Sequence, residues 1–186
     1  MVMPDLARVW TRQEVLALPD DGNRYELVDG ELLVSPTPRP VHQRAVGAFY
    51  RRLHGYVRAN RLGEALFSPA DLDLGSEQLL QPDVFVIGPA APGPREWSDV
   101  GIPRLLVEVL SPTTARYDRI IKRRRFQRSG VPVYWIVDVD ARLVEVWIPA
   151  EASPRVVDEL LEWRPDPETV PLTIDLLEVF REILDE

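Results

Sequence analysis

The chain has 186 residues, 45% hydrophobic and 28% charged, with 22 basic and 30 acidic side chains and a formal net charge of −8, which predicts one globular domain over residues 1–186. It has no cysteine and two histidines, His42 and His54; disulfides, thiolate–zinc sites and His-rich sites are excluded, so oxygen ligands must hold any metal, which favours Mg²⁺ or Mn²⁺. No apolar run approaches the ~20 residues of a membrane span, and Met1 to Arg12 lacks the basic start and apolar core of a secretory signal, so a cytoplasmic protein without membrane contact is expected.

In chain order, Arg24 to Val34 reads as a β-hairpin, with two apolar runs flanking Asp29-Gly30, a dipeptide preferred in two-residue turns. Pro36, Pro38 and Pro40 break the regular structure after the hairpin. From Val41 to Asn60, Val41, Ala45, Ala48, Phe49, Leu53, Tyr56 and Val57 recur at helical spacing, and Gly63 lies past the end. Strands are expected at 64–67, 71–74 and, most clearly, 82–87. Residues 88–103 hold four prolines and three glycines and predict a long loop of a functional or interfacial kind. Leu105 to Leu110 is an apolar strand stopped by Ser111-Pro112. Thr113 or Thr114 can cap a helix that runs to Ser129 and closes at Gly130. Residues 133–138 and 143–148 predict a strand pair, 156–162 a further strand, and 174–184 an amphipathic C-terminal helix. The order predicts an α/β (α+β) fold, a mixed sheet flanked by helices, with an N-terminal hairpin and a C-terminal helix.

Three residues stand out chemically. Lys122 is the only lysine among the 22 basic side chains, a compact ammonium where the chain otherwise uses the planar, permanently charged guanidinium. Asp83 and Glu108 are acids set into apolar strands. Faces alternate along a strand, so Asp83, Phe85 and Ile87 share one face, as do Leu106, Glu108 and Leu110. If the two strands pair antiparallel, both acids come to one end of the sheet. Two such charges ~4 Å apart repel by ~4 kcal/mol at an effective dielectric of ~20, a cost that a divalent cation removes. On the other reading Asp83 caps a strand entrance and Glu108 pairs with an arginine. Along the following helix Asp118, Lys122 and Phe126 stack at four-residue spacing, opposite an apolar stripe of Tyr117, Ile120 and Ile121. For Lys122 to reach the acids, its face must turn to the sheet while that stripe is covered by the C-terminal elements or a partner subunit.

Several segments, in order, resemble the putative restriction endonuclease family of the PD-(D/E)XK nuclease superfamily. They are Tyr25-Glu-Leu-Val-Asp-Gly-Glu31, His42, Gln81-Pro-Asp-Val-Phe-Val, Leu106-Val-Glu-Val-Leu-Ser-Pro-Thr-Thr, Tyr117-Asp-Arg with Lys122, and Gly130-Val-Pro-Val-Tyr-Trp-Ile-Val-Asp138. The resemblance covers about residues 23–148 and implies a restriction-endonuclease-like fold with a nuclease core at about 41–148. It implies that Asp83 and Glu108 are the paired metal ligands, with the Val109 carbonyl as a third. The usual lysine two residues after the second acid is replaced by Leu110, and Lys122 matches a migrated position on the next helix. The resemblance further implies an auxiliary role for His42 and matches Glu26 and Asp29, although the turn explains Asp29. Arg116, Arg119 and Arg123 suit phosphate anchoring as well as they suit a solvated helix face. The expectation is a Mg²⁺- or Mn²⁺-dependent endonuclease acting on duplex DNA as a homodimer or higher homo-oligomer. The alternatives are a non-catalytic nucleic-acid-binding or interaction module on the same fold, and a hydrolase of small phosphate esters.

Overall fold

The computed structural model describes residues 8–72, 74, 78–90, 93–112 and 115–185. The hairpin forms as β1 (Arg24–Val28) and β2 (Glu31–Ser35), paired antiparallel with Val28 opposite Glu31. Asp29 and Gly30 take positive φ, 50° and 84°, the backbone that lets a two-residue turn follow the strand twist. Ahead of it lies α1 (Arg12–Leu16), closed by reciprocal hydrogen bonds between Thr11 and Glu14. Five residues are too few for a periodic signal, which is why the sequence pattern misses this helix.

The long helix α2 (Pro40–Ala59) begins on a proline, whose missing N–H costs nothing in a first turn. Beyond it, Gly63 has φ +123°, and a Cβ there would lie 2.0 Å from the Ile87 carbonyl oxygen. Only glycine permits this close approach between the helix exit and the sheet. That sheet has six strands in chain order: β3 (Glu64–Phe67), β4 (Val84–Ile87), β5 (Leu105–Val109), β6 (Tyr134–Asp138), β7 (Leu143–Trp147) and β8 (Arg155–Val157). β5 and β6 run parallel and every other neighbouring pair antiparallel. A parallel pair needs a helical crossover, and residues 115–128 supply it.

The faces divide the molecule. Val84, Val86, Leu105, Val107, Val109, Trp135 and Val137 pack toward α2 and the C-terminal helix α4 (Leu176–Leu184). Phe85, Leu106, Tyr134, Ile136 and Trp147 pack on the other side against Val28 and Leu33 of the hairpin and Phe126 of the crossover. Each such side chain stabilises by up to about 1.5–3 kcal/mol. A few together offset the several kcal/mol that each charge buried among them costs.

Some boundaries differ from the sequence expectation. The strand expected at 156–162 is two strands in different sheets: the chain bends at Asp158 and Glu159, and β9 (Leu160–Trp163) pairs with β10 (Leu172–Asp175). An alternating pattern runs through such a corner unchanged, so the sequence hides it. Residues 172–175 join that sheet, and α4 starts only after Asp175, whose carboxylate accepts from the Glu178 N–H. At 71–74, Leu72 makes a single antiparallel bridge with Leu80, and Asp73 lies outside the described residues. The cap expected at Thr113 or Thr114 also lies outside them. In the 88–103 loop, the described residues include one short 3₁₀ turn, Trp97–Asp99.

Candidate active site

β4 and β5 pair with Val84 opposite Val107 and Phe85 opposite Leu106. One step beyond, the same register sets Asp83 opposite Glu108, on the face that carries Phe85 and Leu106. Both acids are buried, 2% and 1% exposed. The antiparallel pairing assumed from sequence is the observed one, and it brings both acids to one end of the sheet.

Lys122 reaches the same place from the crossover. Residues Tyr117–Lys122 are wound as one π-helical stretch before α3 (Arg123–Arg128), a winding that often occurs at functional sites. Asp118, Lys122 and Phe126 all face inward and are buried. The Lys122 ammonium lies 2.8 Å from Glu26 Oε2, 3.1 Å from Glu108 Oε1 and 3.2 Å from Asp118 Oδ1. An exposed Asp–Lys helix pair is thereby excluded. The apolar stripe opposite is only partly covered: Ile121 packs against the core, while Tyr117 and Ile120 stay exposed. The C-terminal helix lies across the sheet from this stripe and does not cover it.

A second group surrounds Asp83. Its Oδ1 accepts from Arg24 Nη1 at 2.9 Å, and its Oδ2 from the Val109 N–H at 2.8 Å. His42 Nε2, near the start of α2, stands 3.2 Å from Oδ2. Arg24 and Glu26 sit two apart on β1 and so share its inward face, with Arg24 Nε 3.6 Å from Glu26 Oε2. Glu26 Oε1 accepts from the Gln81 N–H at 2.9 Å. Arg24 is the residue that sequence reasoning missed. Its signal is its place two residues before Glu26 on the hairpin, but the docking of that hairpin on the sheet is a long-range matter.

The site opens on a cleft of about 1290 Å³. Arg24, His42, Asp83, Val109, Leu110 and Ser111 are among the residues that line it. Glu108 and Lys122 stand behind this wall. Lys122 and Glu26 instead line a small cavity of about 80 Å³ under β2 and Tyr117.

Electrostatics follow from this geometry. Burial pushes the Asp83 carboxyl up, but the His42 hydrogen bond and the Arg24 charge more than reverse this and hold it well below the usual carboxylate range. Burial drives the Glu108 carboxyl well above its ordinary value; Lys122 opposes the rise, whereas Asp83, Asp118 and Glu26 add to it. Burial alone would lower Lys122, yet Glu108, Glu26 and Asp118 raise it far above an ordinary lysine, so it stays charged. Tyr134 donates to the Asp118 carbonyl at 3.3 Å, and burial raises its phenol. Four buried carboxylates, Glu26, Asp83, Glu108 and Asp118, thus face two permanent cations, Arg24 and Lys122.

This arrangement suits a hard divalent cation. The acids offer oxygen donors beside the single imidazole of His42, and the four buried acidic side chains outnumber the two cations, Arg24 and Lys122. A carboxylate offers about four acceptor directions; three donors leave Asp83 one more. Among the described residues no group of three His, Cys, Asp or Glu is arranged to hold an ion. A metal here would therefore rest on one or two carboxylates, completed by a backbone carbonyl and water, as Mg²⁺ commonly is.

The three arginines expected as anchors differ in setting. Arg116 is exposed. Arg119 is clasped by Asp138 Oδ2 and Glu145 Oε1, both at 2.7 Å. Arg123 bonds the Arg119 carbonyl and Gln127, and its guanidinium lies over Trp147, 4.4 Å from the ring centroid.

The model of the Uma2 family, described as "Putative restriction endonuclease", matches residues 12–178. Among solved structures, a crystal structure of a putative nuclease belonging to DUF820 from Anabaena variabilis ATCC 29413 superposes with a TM-score of 0.72. It is 18% identical, and the match covers 94% of this chain and 99% of that one. At that identity the likeness establishes the fold. No curated protein matches the chain.

Proposed function

Because the chain belongs to the Uma2 family of putative restriction endonucleases, we propose that it is a Mg²⁺- or Mn²⁺-dependent endonuclease that hydrolyses phosphodiester bonds in duplex DNA. One observation carries this reading: the β4–β5 register, carried one step past Val84 and Val107, sets Asp83 opposite Glu108, and the Lys122 ammonium lies 3.1 Å from Glu108. Asp83, Glu108 and the Val109 carbonyl would hold the ion. When bound, it supplies a Lewis acid for the phosphoryl oxygens and lowers the pKa of a water nucleophile.

The protein's own groups set the stage. Arg24, His42 and the Val109 N–H fix the Asp83 carboxylate from three directions. Lys122 holds Glu108 and contributes a fixed positive charge toward the charge that grows on the phosphoryl group. His42, half-buried at the cleft wall, is placed to steady a phosphate beside Asp83. Exposed Arg116 is available as a sequence-independent anchor. A homodimer would serve cleavage of both strands, and light scattering reads that directly.

The test is plasmid cleavage with Mn²⁺ by wild type beside Asp83→Ala, Glu108→Ala and Lys122→Arg. Loss of cleavage in the variants is expected; equal trace activity in all four preparations would overturn the assignment. A second reading, a nucleic-acid-binding module that retains the fold without catalysis, draws support from Lys122 itself. It is 1% exposed and engaged by three carboxylates, which leaves it little freedom to meet a phosphate. Calorimetry with Mg²⁺ and Mn²⁺ separates the two, because a degenerate site binds neither ion.

A further inference from the structure

We infer that Arg24 is the phosphate-receiving residue of this site: it clamps Asp83 until a divalent ion takes that carboxylate, and then turns its guanidinium to the substrate phosphate. The inference rests on the nuclease reading and extends it to a residue of the N-terminal hairpin.

The argument starts from the two permanent cations. Lys122 is enclosed by Glu26, Glu108 and Asp118 and lies behind the cleft wall. Arg24 keeps 21% of its side chain accessible and lines the open cleft beside Asp83, His42 and Val109. Its fork is held by two carboxylates, Asp83 at 2.9 Å and Glu26 at 3.6 Å. A guanidinium carries five N–H donors in one plane, so these contacts leave donors for a further acceptor.

The spare acceptor direction of Asp83 is on Oδ1, the oxygen that Arg24 holds, so a divalent ion bound there would sit beside the guanidinium and repel it. Glu26 still tethers Nε, so the fork can pivot without leaving the site. The open direction is the cleft, where a phosphodiester approaching Asp83 offers two oxygens that match the planar fork. A lysine could supply the charge but not this two-point contact. The same exchange explains a half-buried arginine in a site that needs Asp83 for a cation: before metal arrives, the carboxylate would otherwise stand without that partner.

The experiment compares Arg24→Gln and Arg24→Lys with wild type in two binding assays without turnover. Mn²⁺ affinity is measured by calorimetry in the absence of nucleic acid. Affinity for a short fluorescent DNA duplex is measured by anisotropy with Ca²⁺ in place of Mn²⁺ over a range of salt. Arg24→Gln is expected to bind Mn²⁺ about fivefold or more tightly, since a competing positive charge has gone. It is expected to bind DNA about tenfold more weakly, with the slope of log affinity against log salt reduced by about one. Arg24→Lys should keep that slope yet still lose affinity, because it keeps the charge and lacks the fork. A merely structural arginine moves both affinities down together, and that result overturns the inference. DNA binding by Arg24→Gln at wild-type strength overturns it too. Should the Gln variant not fold, as judged by circular dichroism, the Lys variant decides: wild-type DNA affinity there refutes the two-point contact. Failure of wild type to cleave while these shifts appear counts against hydrolysis alone. Wild type that binds neither Mn²⁺ nor DNA removes both readings.

Discussion

The Lys122 ammonium lies closer to Glu26 Oε2, at 2.8 Å, than to Glu108 Oε1, at 3.1 Å. The hairpin and the central sheet are thus joined through one buried cation on the crossover. Removing that cation strands three carboxylates in a site with almost no solvent. Lys122→Met, which keeps the length of the side chain, is expected to destabilise by about 3–5 kcal/mol. Urea denaturation measures it, and a loss under about 1 kcal/mol would show that the ammonium is not what holds the hairpin down.

Metal binding should be visible without any reaction. At a Mn²⁺ concentration one hundred times its dissociation constant, the folded state gains about 2.7 kcal/mol. For a chain of this size that corresponds to a Tm rise of about 5–10 °C. Asp83→Asn and Glu108→Gln keep shape while removing the anionic ligand, and each should abolish most of the rise. Undiminished shifts in both variants would place the ion elsewhere.

A pH effect is expected from α1, which lies against the hairpin. Glu14 accepts from the Thr11 backbone N–H, Arg8 and the Thr11 hydroxyl, and its pKa is lowered to about 2. A folded-state value below the unfolded one of 4.5 means that the stability it lends is fully present above about 4.5. It is lost as pH falls from there toward 2. Glu14→Gln should therefore flatten the stability profile in that window and leave its shape above pH 5 unchanged. An NMR titration of the Glu14 carboxyl with an ordinary midpoint would falsify this account.

Arg116 and Arg119 should separate binding from folding. Arg116 is exposed, so Arg116→Ala should change stability by less than about 0.5 kcal/mol, while a phosphate contact predicts a DNA salt slope reduced by about one. Arg119 ties the crossover to β6 and β7 through Asp138 and Glu145. Being partly exposed, that clasp should cost about 1 kcal/mol when cut to alanine. Chemical denaturation alongside DNA titration tests both; a reversal of the two phenotypes would exchange their roles.

Much of this site was readable from local periodicity. Asp83 and Glu108 could be placed on shared faces with Phe85 and Leu106, because strand alternation has period two and needs no knowledge of neighbours. Asp118, Lys122 and Phe126 could be stacked for a similar reason, since helical spacing sets which side chains share a face. The Asp29-Gly30 turn followed from backbone sterics within two residues.

Other features depended on distance through space. The four-residue spacing of Asp118 and Lys122 also suits an exposed helix pair, and only the packing of the crossover on the sheet turns both side chains inward. Arg24 gave no local sign of reaching Asp83, because the hairpin forms its own two-stranded sheet and its seat depends on Val28 and Leu33 meeting the main core. The corner at Asp158 and Glu159 was hidden because alternation continues through a change of sheet. Composition and short-range spacing specify which groups are available and which way they face within an element. Which charges share one water-poor pocket is decided when apolar faces far apart in the chain are buried together, since that burial supplies the free energy to enclose them.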